Sequence, residues 1–486
     1  MSACGQSVSR KEMRIRPEPS VIDIVVEEQH APLVLSNPKT EEKVKELLQC
    51  FRLTGENVLK VSDIFADEME NGINDRPSTL LMENTYIPEL LKGTETGDYL
   101  ALDLGGTNFR ILLVGLQKGH IVREEVNQYH ISDALRIGSG EDLFDYLADC
   151  LHDFVHKHGV ANRKLPMGFT FSFPMHQRAL DAGVLIKWTK SFASTGVEGN
   201  DVVEMLSNAI HKKGGLNVDI IAILNDTTGT LLQGCILDNN AAVGLILGTG
   251  SNACYMERAE RVSHWEAERH GEKEVIIDIE WGAFGDGGLL NFIRTDFDKQ
   301  VDTNSLFTSS FTFEKYISGK YLGELVRLIL VNLANHRLIF GGILSKKIQQ
   351  IDSFSTQYVS HIEEDNVNNT LCKTEEILKL FDLDYNEDDI QVVKYVSEVV
   401  SIRAAMLVSA CLSEVLKRMK RPFVTVAVDG SLFKHHPRFK IWMEKFVKLL
   451  APQHPFKLML AEDGSGKGAA LATAIADRLR KTYLIN

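Results

Sequence analysis

At 486 residues the chain exceeds what one hydrophobic core usually supports, so two domains are expected. A composition of 44% hydrophobic and 24% charged residues supplies ample material for a globular core. The formal net charge of −13 argues against general nucleic-acid or anionic-membrane binding, so any phosphate must be met by donors concentrated locally.

Residues 1–37 begin polar and basic, lack the apolar core of a signal peptide, and read as a flexible cytosolic tail. The seven cysteines, Cys4, Cys50, Cys150, Cys235, Cys254, Cys372 and Cys411, form no C-x-x-C pair. That spacing suits neither a zinc site nor a disulfide framework and points to a reducing, cytoplasmic setting. No apolar stretch suggests a membrane span, and the basic run Lys417 to Arg421 reads as the solvated end of a helix. Order is expected from Pro38. Apolar positions at Val44, Leu47, Leu48, Phe51, then Val58, Val61, Ile64 and Phe65 predict a helical pair over 40–69.

The stretch LALDLGGTNFRILLV, residues 100–114, sets two apolar runs around a glycine tip and predicts a β-hairpin. Gly105 and Gly106 permit positive φ and close approach, so the tip can turn backbone N–H groups toward an anion. Asp103 stands at its mouth for a metal ion or its water shell, and Thr107 and Arg110 add donors. The same pattern also describes a plain tight hairpin. A helix around Leu143 to His158 and a strand LPMGFTFSFP follow, then the turn Trp188-Thr189-Lys190. The next apolar strand, from Val218, turns polar at Asn225-Asp226, and ligands collect at strand carboxyl ends in α/β sheets.

The opening pattern returns in AAVGLILGTGSNACYM, residues 241–256, with its tip at Gly248-Thr249-Gly250. A repeat about 145 residues on suits duplicated halves rather than a solenoid. Two such tips facing a cleft would grip a polyphosphate from both sides. Near the C-terminus a buried strand ends in Asp429-Gly430-Ser431, and Gly464-Ser465 opens a helix suited to an anion. The segment is no P-loop, because Ala461 and Gly468 stand where that motif requires Gly and Ser or Thr.

LALDLGGTNFRILLV, FTFSFP, the WTK turn, LNDTTGT, LGTGSNACYM, EWGAFGD, GKYLGELVR, VDGS and GSGKGAAL, in that order, resemble the hexokinase family. That family belongs to the sugar-kinase, actin and Hsp70 superfamily, and the likeness is to its single-unit animal forms. It covers over nine tenths of the chain, from about Thr40 onward.

The resemblance implies an α/β, two-domain actin-like (ribonuclease H-like) fold with lobes around a cleft. The expected small domain takes residues 91–226 and 463–486, and the large domain 38–90 and 227–462. It implies ATP-dependent phosphorylation of glucose and related hexoses at the 6-hydroxyl, the first step of glycolysis, by a cytoplasmic, magnesium-using monomer. Asp226 would be the general base, with Lys190 placing positive charge near the transferred group. Ser172, Phe173, Pro174, Thr189, Asn225, Asn252, Glu280 and Glu314 would line the sugar pocket. Asp103, Gly105, Gly106, Thr107, Asn108 and Arg110 would form the first phosphate loop. Gly248, Thr249 and Gly250 would form the second. Asp429, Gly430, Ser431, Gly464 and Ser465 would lie on the adenosine side. Mg2+ would arrive on ATP and touch mainly Asp103. Cys254 and Trp281 are expected as packing.

Two departures from the family pattern stand out. Residues 307–312 replace an Asn-Pro-Gly-Gln-Gln-like turn, so Phe311 stands where a glutamine meets the sugar. Gln350 replaces a threonine facing the nucleotide. The first departure motivates an alternative, a catalytically weakened sugar-binding or regulatory relative.

Overall fold

A computed structural model describes residues 16–106, 108–189 and 192–483. Two sheets organise them, with strands numbered in chain order. One sheet runs β4 (His120–His130), β3 (Asn108–Gln117), β2 (Gly97–Leu104), β5 (Leu165–Phe171), β8 (Val218–Leu224). The other runs β1 (Glu83–Asn84), β11 (Glu274–Asp278), β10 (Ser251–Arg258), β9 (Ala241–Leu247), β12 (Val424–Asp429), β13 (Phe456–Leu460). A separate ribbon pairs β6 (Met175–Ala179) with β7 (Ala182–Leu185).

The two sheets repeat one plan. β4-β3-β2 is an antiparallel meander continued by parallel β5 and β8, and β11-β10-β9 is a meander continued by parallel β12 and β13. The repeated glycine-tipped hairpin in the sequence is the first hairpin of each meander, β2–β3 and β9–β10. Burial follows position: Leu100 to Leu104 in central β2 are all buried, whereas β4 alternates half-buried and exposed residues as an edge strand.

One helix backs each sheet at the junction. The helix Asp226–Leu237, here the cleft helix, packs on β9 and β12, and the C-terminal helix Gly464–Tyr483 packs on β2, β5 and β8. The two helices also pack on each other. They meet without side chains between them: a Cβ on Gly468 would lie 2.1 Å from Gly229 Cα, and one on Gly464 would lie 2.6 Å from Thr230 Cα. A large α/β protein with one sheet in each half, joined through this helix pair, is the expected fold class.

Three expectations are corrected. Order does not begin at Pro38: a helix at Pro19–Glu27 buries Ile22 and Val26, and the Gly55 N–H donates to Asp23 Oδ1 at 2.6 Å. Its single apolar face over nine residues is too short to register as periodicity. The 33-residue helix Glu387–Met419 is, by length and composition, apolar enough to cross a membrane. Its most apolar window is wholly buried, as a core helix carrying internal ion pairs such as Arg403 Nη2 to Asp298 Oδ2 at 2.8 Å. The basic run at its end is not simply solvated. Arg418 Nη1 lies 2.8 Å from a Glu70 oxygen, and the same guanidinium pairs with Glu257.

Because the helix crossing has no room for a methyl group, Gly468→Ala is expected to cost about 1–3 kcal/mol through overpacking. Urea denaturation measures this as a lowered midpoint.

Candidate active site

Both hairpin tips form, but their glycines do not supply positive φ: Gly105, Gly106, Gly248 and Gly250 all lie outside that region. Only Gly250 stands in a close approach: a Cβ there would lie 2.8 Å from Glu314 Oε2, whereas one on Gly105 would make ordinary contact with Ser172 Oγ at 3.5 Å and one on Gly106 would meet nothing within 4 Å. The second tip is closed by the Gly248 N–H donating to Gly250 O at 3.0 Å, while Thr249 is exposed. Gly430 does need its left-handed freedom: its φ is 118° and a Cβ would lie 2.3 Å from Leu247 O.

Parallel strands of both sheets deliver polar groups to one cavity of about 280 Å³. Its lining includes Asp103, Gly105, Gly106, Asn108, Arg110, Ser172, Asp226, Asp429, Gly430 and Ser465. Asp103 comes from the end of β2 and Asp429 from the end of β12. Ser172 follows β5, held by its N–H donating to Leu104 O at 3.1 Å. After β8, Asn225 caps the cleft helix by accepting from the Thr227 N–H at 3.2 Å, which sets Asp226 in the first turn. Ser431, exposed, opens a five-residue helix behind Gly430. Thr107 and Lys190 lie outside the described residues.

Asp103 is not a free carboxylate. Its Oδ2 accepts from Arg110 Nη2 at 2.5 Å, from Arg110 Nε at 3.1 Å and from Ser465 Oγ at 2.9 Å, and Arg110 also pairs with Asp463. Arg110 is thus engaged by carboxylates instead of standing as an open donor. Burial nevertheless pushes the Asp103 carboxyl above its usual range, against the pull of Arg110. Asp429 is likewise raised by burial while accepting the N–H groups of Gly430 and Gly464 at 2.7 and 3.3 Å.

Beside Asp226 stands a wall of carboxyls and amides. Asn225 Nδ2 donates to Glu280 Oε1 at 3.2 Å; Asn252 Nδ2 donates to the same oxygen at 3.1 Å and to Asp278 Oδ1 at 2.8 Å. The Ser251 N–H donates to Glu314 Oε2 at 3.1 Å. Glu280 holds a left-handed backbone, φ 54° and ψ 49°, uncommon for a non-glycine residue and typical of functional turns. Trp281 is core packing as expected, its indole N–H donating to Ser251 Oγ at 3.0 Å.

Phe173 is corrected: its ring is buried among Phe171, Trp188 and Phe192, because the residue after a strand-end serine points back into the core. Pro174 and Thr189 are half-buried; their carbonyls accept from the Ile186 and Phe192 N–H groups. Phe311 is left-handed too, at φ 56°. Asp286 accepts the N–H groups of Phe311 and Thr312 at 3.0 and 2.9 Å, and the Phe311 ring lies 5.8 Å from that of Phe307. Asp278 escaped the sequence reading, although a carboxylate closing an apolar strand two residues before Glu280 was a usable signal. Among the described residues no group of three His, Cys, Asp or Glu side chains could hold a metal ion.

A two-lobed sugar-kinase architecture of the actin-like type, with its site at the strand ends between the sheets, is the class these features define. Comparison with known proteins makes the class specific. The hexokinase family models match residues 43–236 and 242–475. Hexokinase-2 of Homo sapiens is 44% identical over 452 residues, covering 90% of this chain and 48% of that protein. Hexokinase-1 of Mus musculus is 41% identical over 457 residues, covering 92% and 46%. A solved hexokinase from Schistosoma mansoni complexed with glucose is 40% identical with a TM-score of 0.84, covering 90% of this chain and 100% of that one. The chain belongs to the hexokinase family, and it spans about half the length of the curated relatives it matches.

Arg110 is the cation that offsets buried Asp103, so Arg110→Met is expected to destabilise the fold. The loss should be about 1–3 kcal/mol, below the usual cost of stranding a buried charge because Arg110 keeps some access to water. Adding Asp103→Asn should recover most of that loss in the same urea measurement.

Proposed function

We propose that this chain transfers the γ-phosphoryl group of ATP to the 6-hydroxyl of glucose and related hexoses. The observation that carries this reading is the convergence on one cavity of Asp226, from the first turn of the cleft helix, with glycine-bearing loops from both sheets. The glucose-complexed relative, matched over its whole length, supports a hexose as acceptor.

Phosphoryl transfer passes through a loose transition state, so it asks for orientation and charge stabilisation more than for a strong base. Asp226 faces the cavity from a rigid helix start, and its Oδ1 accepts from Thr227 Oγ1 at 3.2 Å. Its other oxygen is the one placed to take the proton of the sugar hydroxyl as that oxygen attacks phosphorus. Asn225, Glu280 and Glu314 hold the remaining hydroxyls, which both donate and accept. The two hairpin tips steady the triphosphate through backbone N–H groups, and the family resemblance gives Lys190 the task of adding positive charge near the transferred group.

Carboxyls crowd the cavity, and burial first, then repulsion from Asp226, raises the protonation of Asp103, Asp429, Asp278 and Glu280. A nucleotide approaching that field fits only with a divalent cation. Asp103 commits Oδ2 to Arg110 and Ser465, which leaves Oδ1 to meet a hydrated Mg2+; the ion would supply charge neutralisation on the phosphates.

Asp226→Ala is expected to lower hexose phosphorylation by roughly 10²- to 10⁴-fold, the span of a lost general base. A coupled assay of sugar phosphate, with circular dichroism confirming the fold, reads this. Equal turnover by wild type and variant would remove Asp226 from the reaction.

A further inference from the structure

Asp278 ends β11 and Glu280 follows two residues on, in a left-handed turn that brings the two carboxyls together. One amide nitrogen, Asn252 Nδ2, donates to both, at 2.8 Å to Asp278 Oδ1 and at 3.1 Å to Glu280 Oε1. Two carboxyls held that close, with no cation paired to either among the described residues, are relieved of mutual repulsion when they share one proton. The amide of Asn252 fits this arrangement, since both contacts of its Nδ2 go to the pair and its own Oδ1 accepts from the Ala253 N–H at 2.7 Å. Asn252 is thereby spent on holding the carboxyls in place.

We propose that Asp278 is a positioning residue which shares one proton with Glu280, so that hexose capture releases a proton and strengthens as pH rises. The inference rests on the hexose-phosphorylating reading above. It adds to that reading a carboxyl that need not touch the sugar and acts through Glu280.

The surroundings of the pair explain why the proton stays. Across the sheet Asp278 stands opposite Glu83 of β1 and Cys254 of β10. Asp226 faces it from the cleft helix, and Asn225 and Asn252 supply amide donors. Glu83 and Asp226 are both acidic, and the Cys254 thiol is held protonated by burial. Among the described residues no Lys, Arg or His forms an ion pair with Asp278 or Glu280. Burial with these like charges pushes Asp278 up to about 7 and Glu280 well above the usual carboxylate range. Glu280 Oε1 already accepts two amide hydrogens, so a sugar hydroxyl donating to Glu280 competes with the shared proton. Full occupancy by a hexose therefore expels that proton to solvent.

The sign follows from linkage. A ligand that prefers the ionised pair binds more tightly above the pair's apparent pKa and loses affinity below it. For one proton, the hexose KM of the wild type should be roughly tenfold higher near pH 6 than near pH 8. In Asp278→Asn the new amide can donate to an ionised Glu280 and no proton is shared. Its KM should be lower than wild type near pH 6 and flat across the same interval, while kcat keeps the wild-type pH profile. Parallel KM profiles in the two proteins would overturn the proposal.

Calorimetry on the wild type keeps the proposal testable even if that variant folds poorly. Glucose is titrated near pH 7 in buffers of different ionisation enthalpy. A heat that depends on the buffer, corresponding to release of a fraction of a proton, is expected. Binding with the same heat in every buffer would refute the shared proton and leave the proposed function standing. Absence of any binding heat, together with absence of turnover, would instead refute the function.

Discussion

The constraint on which the site depends is the crossing of the cleft helix and the C-terminal helix, where Gly229 and Gly468 bring backbone against backbone. Each helix is also the backing layer of a different sheet. Their separation therefore fixes how far apart the two sheets can lie, and with it the distance between the carboxyl ends of β2, β5 and β8 and those of β9 and β12. A side chain at the crossing would wedge the sheets apart. Asp226 sits at the start of one helix and Ser465 at the start of the other, so the same contact sets the cavity they both line.

A second theme is the accumulation of negative charge in that cavity. Asp103, Asp226, Asp278, Glu280 and Asp429 all lie on or beside its walls, and burial raises four of them above the ordinary carboxylate range. Folding alone would not favour such a cluster, because each buried charge costs desolvation that only a partner offsets. Arg110 and Ser465 offset Asp103, and backbone N–H groups offset Asp429. Asp278 and Glu280 are held by amides and Asp226 by the Thr227 hydroxyl, an arrangement suited to a neutral ligand rich in hydroxyls. Sites of this kind store destabilisation for use in binding and chemistry.

Much of this was legible in the chain. The two glycine-tipped hairpins are local signals, since two apolar runs and a polar tip are set within fifteen residues, and their repetition anticipated two sheets of one plan. Asp226 was legible because an apolar strand turning polar at Asn225-Asp226 is a strand end followed by a cap. What escaped was non-local. Nothing near Asp278 in sequence reveals that Asn252 and Glu83 will face it. The close approach at Gly250 depends on Glu314, more than sixty residues away. The apolar helix Glu387–Met419 carries Arg403, whose partner Asp298 lies on a distant helix, so its burial could not be read from its own composition. Phe311 was visible as an oddity, but its left-handed anchoring by Asp286 was not.

The central claim is that one cavity orders a hexose against Asp226 and a triphosphate between the two hairpin tips. A crystal structure with glucose and a non-hydrolysable ATP analogue tests it most directly. The account predicts the sugar 6-oxygen within hydrogen-bond reach of the Asp226 carboxylate, about 2.6–3.2 Å, with the terminal phosphate between the loops at 105–106 and 248–250. A hexose bound elsewhere, or one whose 6-oxygen points away from that carboxylate, would contradict it.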